Sequence, residues 1–568
     1  MEARKGKTKA AEVTDVIVGR NKTVRESVGD TKELQRIIDL PRRDWTEHAE
    51  ELAATMTARL KKPNGSQALF PVQAVSLYEI YKHGRGALLP IQVGGGKTLI
   101  SYLAAWAAKS RVTVLLVPAS LRQKTLRDFR SYGKHWKRPP GKLIVINYEK
   151  LSSAKSADIL DRIKPDLIVA DECQKLKNRK AACTKRVHAY LRKNPETRFV
   201  GLSGTIVKRS LMDFHHLAGW ALGDGMPLPM GAQEATTWAR AVDPKPDGPR
   251  VQPGALSRLG PVEDREQARQ TLGERIGQTP GVVVTAGEST GSTLILSTWA
   301  PDLDPEIAEA LERLRKDHVT PWGDEVADPR DLWRVARQLV CGFSYRWEPP
   351  PPPEWLLARK RWKGFARYVL DQGVEGLDSE LRVANAVQAG KLNDKGRWDA
   401  WAAIRSRYHP EKNRATRWIS KDTLRQAVKV IGKKPSLVWV EHRAVGHALA
   451  QATGWPYAYK DGADEQGRLV ESYAGKQTVI LSIASNHKGL NLQAWNHNDI
   501  LMPPSSGDLW EQIMGRTDRT GQEADEITYR VMLGDPSVEA GFANAFADAR
   551  FQWQTLGQPQ KLLLADKE

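Results

Sequence analysis

Apolar positions fall into two series along the chain. From Phe70 onward, short uninterrupted apolar runs alternate with stretches of helical character. The runs are Ala87-Leu88-Leu89-Pro90, Val112-Thr113-Val114-Leu115-Leu116-Val117, Leu143-Ile144-Val145-Ile146, Leu167-Ile168-Val169-Ala170 and Phe199-Val200-Gly201-Leu202. Runs without polar alternation read as strands buried on both faces. Their separation by helices of roughly ten or more residues predicts a parallel sheet with right-handed crossovers. The second series opens at Ser436-Leu437-Val438-Trp439-Val440 and continues through Thr478-Val479-Ile480-Leu481-Ser482-Ile483 and Asp499-Ile500-Leu501-Met502. Ile527-Thr528-Tyr529-Arg530-Val531-Met532 closes it before a C-terminal helix.

Between the two series the pattern lapses. Residues 221–280 are rich in Gly and Pro and read as irregular, followed by strand-like runs at 281–284 and 294–296 and a charged helix at about 305–316. Ahead of the first series, Leu52, Met56 and Leu60 mark a helix, and residues 1 to about 33 read as a disordered basic arm. The expected division is a basic N-terminal extension over 1–60, an α/β domain over 61–220, and an irregular insertion with linking strands over 221–330. A helical insertion over 331–434 and a second α/β domain over 435–568 complete it.

Composition narrows the class. A chain of 568 residues exceeds what one core supports. No run approaches the ~18 apolar residues that span a bilayer, so no membrane role is expected. Three cysteines (Cys173, Cys183 and Cys341), with no C-x-x-C pair, give neither a disulfide framework nor a zinc knuckle. A reducing cytoplasm, of a bacterial or phage-infected cell, is the expected compartment. The net charge of +19 favours a polyanionic partner. Much of the excess sits between Trp355 and Pro435, with 19 Lys/Arg against 8 Asp/Glu, in a longer stretch from Asp331 to Lys434 that concentrates Trp333, Trp347, Trp355, Trp362, Trp398, Trp401 and Trp418. Basic residues interleaved with aromatics suit contact with a nucleic-acid backbone. The same pattern suits a small helical subdomain with a tryptophan core and a solvated basic face, and the two readings are compatible.

The candidate chemistry lies where the first sheet's strands end. Gly94-Gly95-Gly96-Lys97-Thr98 separates an apolar run from a helix. Glycines let several backbone N–H groups curl toward one anion, and the helix N-terminus adds its partial positive charge. Lys97 suits β- and γ-phosphate oxygens, and the Thr98 hydroxyl suits Mg²⁺. Ile91 stands where the full phosphate-loop pattern has its first glycine. Asp171-Glu172 follows the Leu167 run at the carboxyl end of a strand, placed for Asp171 to hold Mg²⁺ through water and Glu172 to polarise an attacking water.

These segments resemble a known family. Gly94-x-Gly96-Lys97-Thr98, Asp171-Glu172-Cys173-Gln174 and Leu202-Ser203-Gly204-Thr205 resemble motifs I, II and III of superfamily 2 helicases and translocases, the DEAD/DEAH-type ATPases. Asn147-Tyr148-Glu149 and Lys175-Leu176-Lys177-Asn178 resemble segments of the Snf2-like branch, and Phe70-Pro71-Val72-Gln73 sits where that branch has its adenine-contacting glutamine. The stretch from Ser482 to Leu492 is similar to motif V, and that from Gln512 to Gln522 to motif VI.

The resemblance implies two RecA-like parallel-sheet domains with a helical, basic Trp-rich insertion between them, binding ATP and Mg²⁺ in the cleft. Phe70, Gln73, Gly94, Gly95, Gly96, Lys97 and Thr98 would hold the nucleotide, and Thr98 and Asp171 the metal. Glu172, Gln512, Arg516 and Arg519 would be catalytic, the two arginines, three residues apart, on one helix face. Gln174, Lys175, Ser203, Gly204, Thr205, Lys488, Gly489 and Asn491 would couple hydrolysis to nucleic acid. Cys173-Gln174 replaces the commoner Ala-His or Gly-His, and Gln174 is expected to hydrogen-bond Ser203 or Thr205. His487-Lys488 stands where the Snf2-like branch has glycines. The implied activity is ATP-dependent movement along nucleic acid, with double-stranded DNA the expected partner. The alternatives are an RNA helicase, or a nucleic-acid-binding scaffold with a degenerate ATPase core.

Overall fold

The computed structural model describes residues 26–43, 48–207, 209–285, 291–326, 328–374, 376–460, 462–487 and 489–567. The basic arm up to residue 25 and Lys488 lie outside them. What is placed of the N-terminal extension is ordered by packing: α1 (Lys32–Asp39) buries Leu34 and Ile37, and α2 (Ala49–Leu60) buries Ala53 and Leu60.

The first domain begins with α3 (Pro71–His83) and β1 (Gly86–Pro90), then α4 (Lys97–Ala107), β2 (Val112–Val117), α5 (Arg122–His135), β3 (Lys142–Asn147), β4 (Leu167–Asp171), α6 (Ala182–Lys193) and β5 (Arg198–Ser203). The strands are the five apolar runs, ordered β1-β5-β4-β2-β3, and every pairing is parallel. β1 and β4 are buried along their whole length, as strands covered on both faces must be. The register pairs Asp171 with Leu202 and Pro90 with Ser203, so three motif-bearing strand ends lie side by side.

Residues 221–280, expected to be irregular, contain two full helices, α7 (Ala232–Val242) and α8 (Arg265–Gly277). Buried arginines disguise the second. Arg269 donates to Val242 O at 2.9 Å and Arg275 to Ile37 O at 2.9 Å, so polar letters fill core positions of α8. The run at 281–284 is no full strand: Val282 makes a single parallel bridge to Leu88 at the edge of β1.

The second sheet takes in β6 (Thr293–Trp299), which precedes the helical insertion. After α9 (Pro305–Asp317) comes the antiparallel hairpin of β7 (Phe343–Trp347) and β8 (Arg414–Trp418). Between those two strands sit α10 (Pro353–Asp371) and the helices Glu380–Gln388 and Arg397–Ile404. Their core is Trp362, Ala366, Val369, Val383, Ala384 and Trp398, with the Trp362 and Trp398 rings edge to face at 4.8 Å. The insertion's tryptophans are thus partly core residues, as one of its two readings required.

The sheet resumes with β9 (Leu437–Val440), β10 (Tyr457–Ala458), β11 (Val479–Ser482) and β12 (His497–Ile500). After α11 (Gly507–Thr517) come β13 (Glu526–Met532), α12 (Pro536–Leu556) and β14 (Asp566–Lys567). Seven strands run in the order β10-β11-β9-β12-β13-β6-β14, all pairings parallel. The architecture is α/β, with two RecA-like parallel-sheet domains.

Two ties hold the domains together away from the sheets. α12 returns to the first domain, where a Cβ on Gly273 of α8 would fall 2.6 Å from Gln554 O, and Arg209 donates to Asp548 at 2.8 Å. The insertion docks on α6 through Arg186 to Asp378 at 2.7 Å and on the loop before it through Lys180 to Asp371 at 2.6 Å. Among the described residues no helix is long and apolar enough to cross a membrane.

Candidate nucleotide site between the two domains

The loop after β1 turns through Gly94 at φ +98° and Gly96 at φ +72°, both left-handed conformations that favour glycine. Close packing adds to that demand. A Cβ on Gly96 would fall 1.9 Å from Gln73 Nε2, and one on Gly95 would fall 2.5 Å from Ile91 Cγ2. Ile91, the departure from the full pattern, is therefore a core residue that braces the middle glycine. Lys97 opens α4, and its Nζ donates to Ile91 O at 2.8 Å and Gln92 O at 2.9 Å. Burial pushes the Lys97 ammonium pKa down, against the opposing pull of Glu172 and Asp171. Half-buried, bonded to two carbonyls and beside two carboxylates, the Lys97 ammonium is placed to exchange those carbonyls for an anion.

Gln73 is tied into this loop. Its Oε1 accepts from Phe70 N at 2.8 Å and its Nε2 donates to Gly96 O at 3.3 Å, while the Phe70 ring stands exposed.

β4 delivers Asp171 and Glu172. Glu172 adopts a left-handed φ of +58°, uncommon for a residue with a side chain, which re-aims its carboxylate as β4 ends. Gln174 donates from Nε2 both to Glu172 Oε2 and, at 3.4 Å, to Thr205 Oγ1. The Ser203 hydroxyl accepts from Thr205 N at 2.9 Å. One amide side chain therefore joins the carboxylate after β4 to the turn after β5, the link expected of Gln174. Tyr148 donates to Asp171 O at 2.8 Å and fixes the strand end from below.

From the second domain, α11 lies against the loop so closely that a Cβ on Gly515 would come 2.7 Å from Val93 Cγ1. Arg516 is buried, and its guanidinium donates to Gln512 O at 2.9 Å and Leu490 O at 3.1 Å. Burial, reinforced by the neighbouring Arg519, pushes it down to about 9. Here one expectation fails. α11 ends at Thr517, so Arg519 lies beyond the helix and the two arginines do not share a helix face. They converge instead on a single acceptor, because Arg519 also donates to Leu490 O at 3.1 Å.

A cavity of about 170 Å³ lies between the domains. Gly94, Gly96, Lys97, Thr98, Asp171 and Glu172 line it from the first domain, and Gly489, Arg516 and Arg519 from the second. Gly489 has a φ of +81°, and a Cβ there would fall 2.8 Å from Leu121 Cδ2, so the domains touch across this glycine. Of the other expected residues, Gln73, Gln512, Ser203 and Thr205 are buried behind the wall, and Lys175 and Asn491 are exposed on the surface. Gln512 Oε1 is a buried acceptor with no hydrogen-bond partner among the described residues. Sequence reasoning missed one wall. α5 contributes Lys124, Asp128 and Tyr132, with Lys124 and Asp128 paired at 3.2 Å. The spacing of four residues was the signal, since such residues share a helix face.

The donor set fits a nucleoside triphosphate with a hard cation. Cationic Lys97, Arg516 and Arg519 face the glycine cradle, and the Thr98 hydroxyl and Asp171 carboxylate offer the oxygen ligands that Mg²⁺ takes. Residues 48–208 match the family described as Type III restriction enzyme, res subunit. A search of the curated proteins found no match.

Proposed function

We propose, from a first domain that is a superfamily 2 helicase-like ATPase domain, that the protein is a nucleic-acid-dependent ATPase of the Snf2-like type that moves along double-stranded DNA. The observation that carries this reading is the facing of Lys97, Thr98, Asp171 and Glu172 by Arg516 and Arg519 across one cavity. Lys97 exchanges its two carbonyl partners for phosphate oxygens. Glu172, oriented by Gln174, accepts the proton of the attacking water. Arg516 and Arg519 exchange Leu490 O for the γ-phosphate, where they oppose the charge that develops in transfer. Mg²⁺ held by Thr98 and Asp171 would supply charge neutralisation on the phosphate oxygens.

At about 170 Å³ the cavity is below the ~300 Å³ at which ligand pockets usually begin. It accommodates phosphate groups in the closed form, and the domains must part to admit the whole nucleotide. Opening and closing in each cycle would move nucleic acid gripped by both domains. The net charge and the Snf2-like segments support a duplex DNA partner, and the cytoplasm is the proposed compartment.

The test is steady-state ATPase turnover with duplex DNA, single-stranded DNA and RNA, each at two salt concentrations. Duplex DNA is expected to stimulate most, and Lys97→Ala to abolish the stimulated rate. Stimulation by RNA alone would overturn the DNA assignment, and a Lys97→Ala protein with wild-type turnover would overturn the site.

A further inference from the structure

Helix α10 buries Trp355, Ala358, Trp362, Ala366 and Val369 inside the insertion, a spacing that leaves its opposite side in water. That side carries Lys360, Arg361, Arg367 and Tyr368, the last 64% exposed. Gly364 lies among them within one turn of each, and nothing stands within 4 Å of where its Cβ would be. A glycine inside a helix is less stable there than alanine, and this one leaves the helix backbone open to close approach.

Charge on this face is one-sided. Between Trp355 and Leu370 there are five Lys/Arg and no carboxylate. Lys363 pairs with Glu380, and the Arg359 guanidinium stacks over Trp355 at 5.3 Å. Lys360, Arg361 and Arg367 have no acidic partner among the described residues. Over its whole length Pro353–Asp371, α10 has five Lys/Arg against two carboxylates, Glu354 and Asp371, near its ends, whereas α9 carries four carboxylates among three cations.

The basic surface does not stop at the insertion. Where α10 ends, Lys180 pairs with Asp371 at 2.6 Å and Lys185 donates to Leu370 O at 3.0 Å. This contact sets α10 beside the loop Lys175-Leu176-Lys177-Asn178-Arg179-Lys180, which has four cations and no carboxylate and follows directly from Glu172 and Gln174. Lys175, Arg179 and Lys180 are exposed.

We propose that this surface, from the 175–180 loop onto the outer face of α10, is a second contact for duplex nucleic acid, outside the ATP cleft. It rests on the reading of the protein as a nucleic-acid-dependent ATPase. The stretch from Lys360 to Arg367 rises about 10 Å along the helix at 1.5 Å per residue. A duplex carries one charge per about 1.7 Å of axis, so such a face meets several phosphates. Gly364 permits the backbone approach, and Tyr368 supplies a hydroxyl and a flat ring at its edge. Because the 175–180 loop continues the catalytic segment, nucleic acid held here adjoins Glu172 along the chain.

The test compares the full-length protein with a Lys360→Ala/Arg361→Ala/Arg367→Ala variant. Binding of a fluorescently labelled duplex is measured across a salt series, alongside ATPase turnover. The variant is expected to bind at least about tenfold more weakly and to lose about 0.9 of salt slope per phosphate contact removed. Its ATPase rate without nucleic acid should equal wild type, and the duplex concentration for half-maximal stimulation should rise by the same factor as the affinity loss. A Lys360→Arg/Arg361→Lys/Arg367→Lys variant should keep the wild-type slope. If wild type binds the duplex and the triple alanine variant matches it in affinity and slope, the second contact is wrong. Weaker binding with an unchanged slope also overturns it, since the lost interaction is then not with phosphates. A wild-type protein that no nucleic acid binds or stimulates overturns the functional reading instead, and this surface with it.

Discussion

Arg516 donates to two backbone carbonyls and has no ion-pair partner among the described residues, in a site where burial depresses its pKa. An arginine keeps its proton in proteins, so that depression expresses the free-energy cost of a buried cation awaiting an anion. Replacing it separates stability from activity. Arg516→Met should raise the stability of the nucleotide-free protein by about 1 kcal/mol, because Arg519 still serves Leu490 O. The same variant should lose most of its turnover. Arg519→Ala should keep ATP binding and lower kcat by about 10³, the scale of an arginine finger. Thermal melts and turnover on one preparation check both, and a variant that loses stability and activity together contradicts the argument.

His216 behaves differently. Its ring Nε2 bonds Leu176 O at 2.9 Å behind the segment that carries Glu172 and Gln174, and burial pushes it down to about 4, with Arg179, His215 and His188 adding to the shift. A depressed histidine pKa favours the neutral ring, so its contribution is complete above about pH 6.5 and is lost as pH falls toward 4. Stability should drop in that window by up to about 1.4 kcal/mol per pH unit, and His216→Gln should flatten the drop in urea melts.

At the scale of elements, the C-terminal segment supports both halves of the cleft. Gln552 of α12 donates to Gly204 O at 2.8 Å, in the turn that Gln174 also reaches. Beyond α12, Lys561 pairs with Asp518, and its backbone N–H donates to Glu511 Oε2 at 2.9 Å. All three residues are buried, and Asp518 stands between the two arginines in sequence. With Lys561 in place, the carboxylates beside α11 are balanced and the arginines face the cavity. Lys561→Met should cost about 3–5 kcal/mol, as breaking a buried pair does. It should also lower kcat about tenfold with little change in KM for ATP. Asp518→Asn in the same chain should restore part of both. No recovery in the double variant would mean that the ion pair is not what matters.

This element also explains which parts were legible in the sequence. The glycine loop, Lys97, Asp171-Glu172 and the two strand series are local patterns, written in contiguous residues. The position of Arg519 is not local. The helix before it ends at Thr517, and the following Asp518 is held by Lys561, 43 residues further on. The helix at 265–277 was hidden because it fills core positions with arginines whose partners are carbonyls of other elements. The wall of Lys124, Asp128 and Tyr132 carries only a helical spacing in the sequence, and what makes it a wall is the facing of Gly489, Arg516 and Arg519 from the second domain.

Over the whole molecule, contacts that lie away from the cleft join those inside it in holding it closed. Arg186 is buried on α6, donates to Leu151 O and Ser153 O, and makes two bonds to Asp378 of the insertion. Arg209 and Asp548 form a second tie at the opposite domain. On the proposed function a nucleotide enters through an opened cleft, yet these ties touch neither the cavity nor its lining. A contact that is present in the closed form with and without nucleotide cancels from the equilibrium between them, and it appears only in the rates of opening. Asp378→Asn weakens the insertion's tie while leaving Arg186 its two carbonyl partners. It should therefore raise the association and dissociation rates of a fluorescent ATP analogue together, by about tenfold for each 1.4 kcal/mol the tie contributes. The dissociation constant should stay within about twofold of wild type. Stopped-flow binding traces read both rates. If the affinity changes and the rates do not move in parallel, the insertion holds one nucleotide state in preference to the other, and the tie is a switch rather than a hinge restraint.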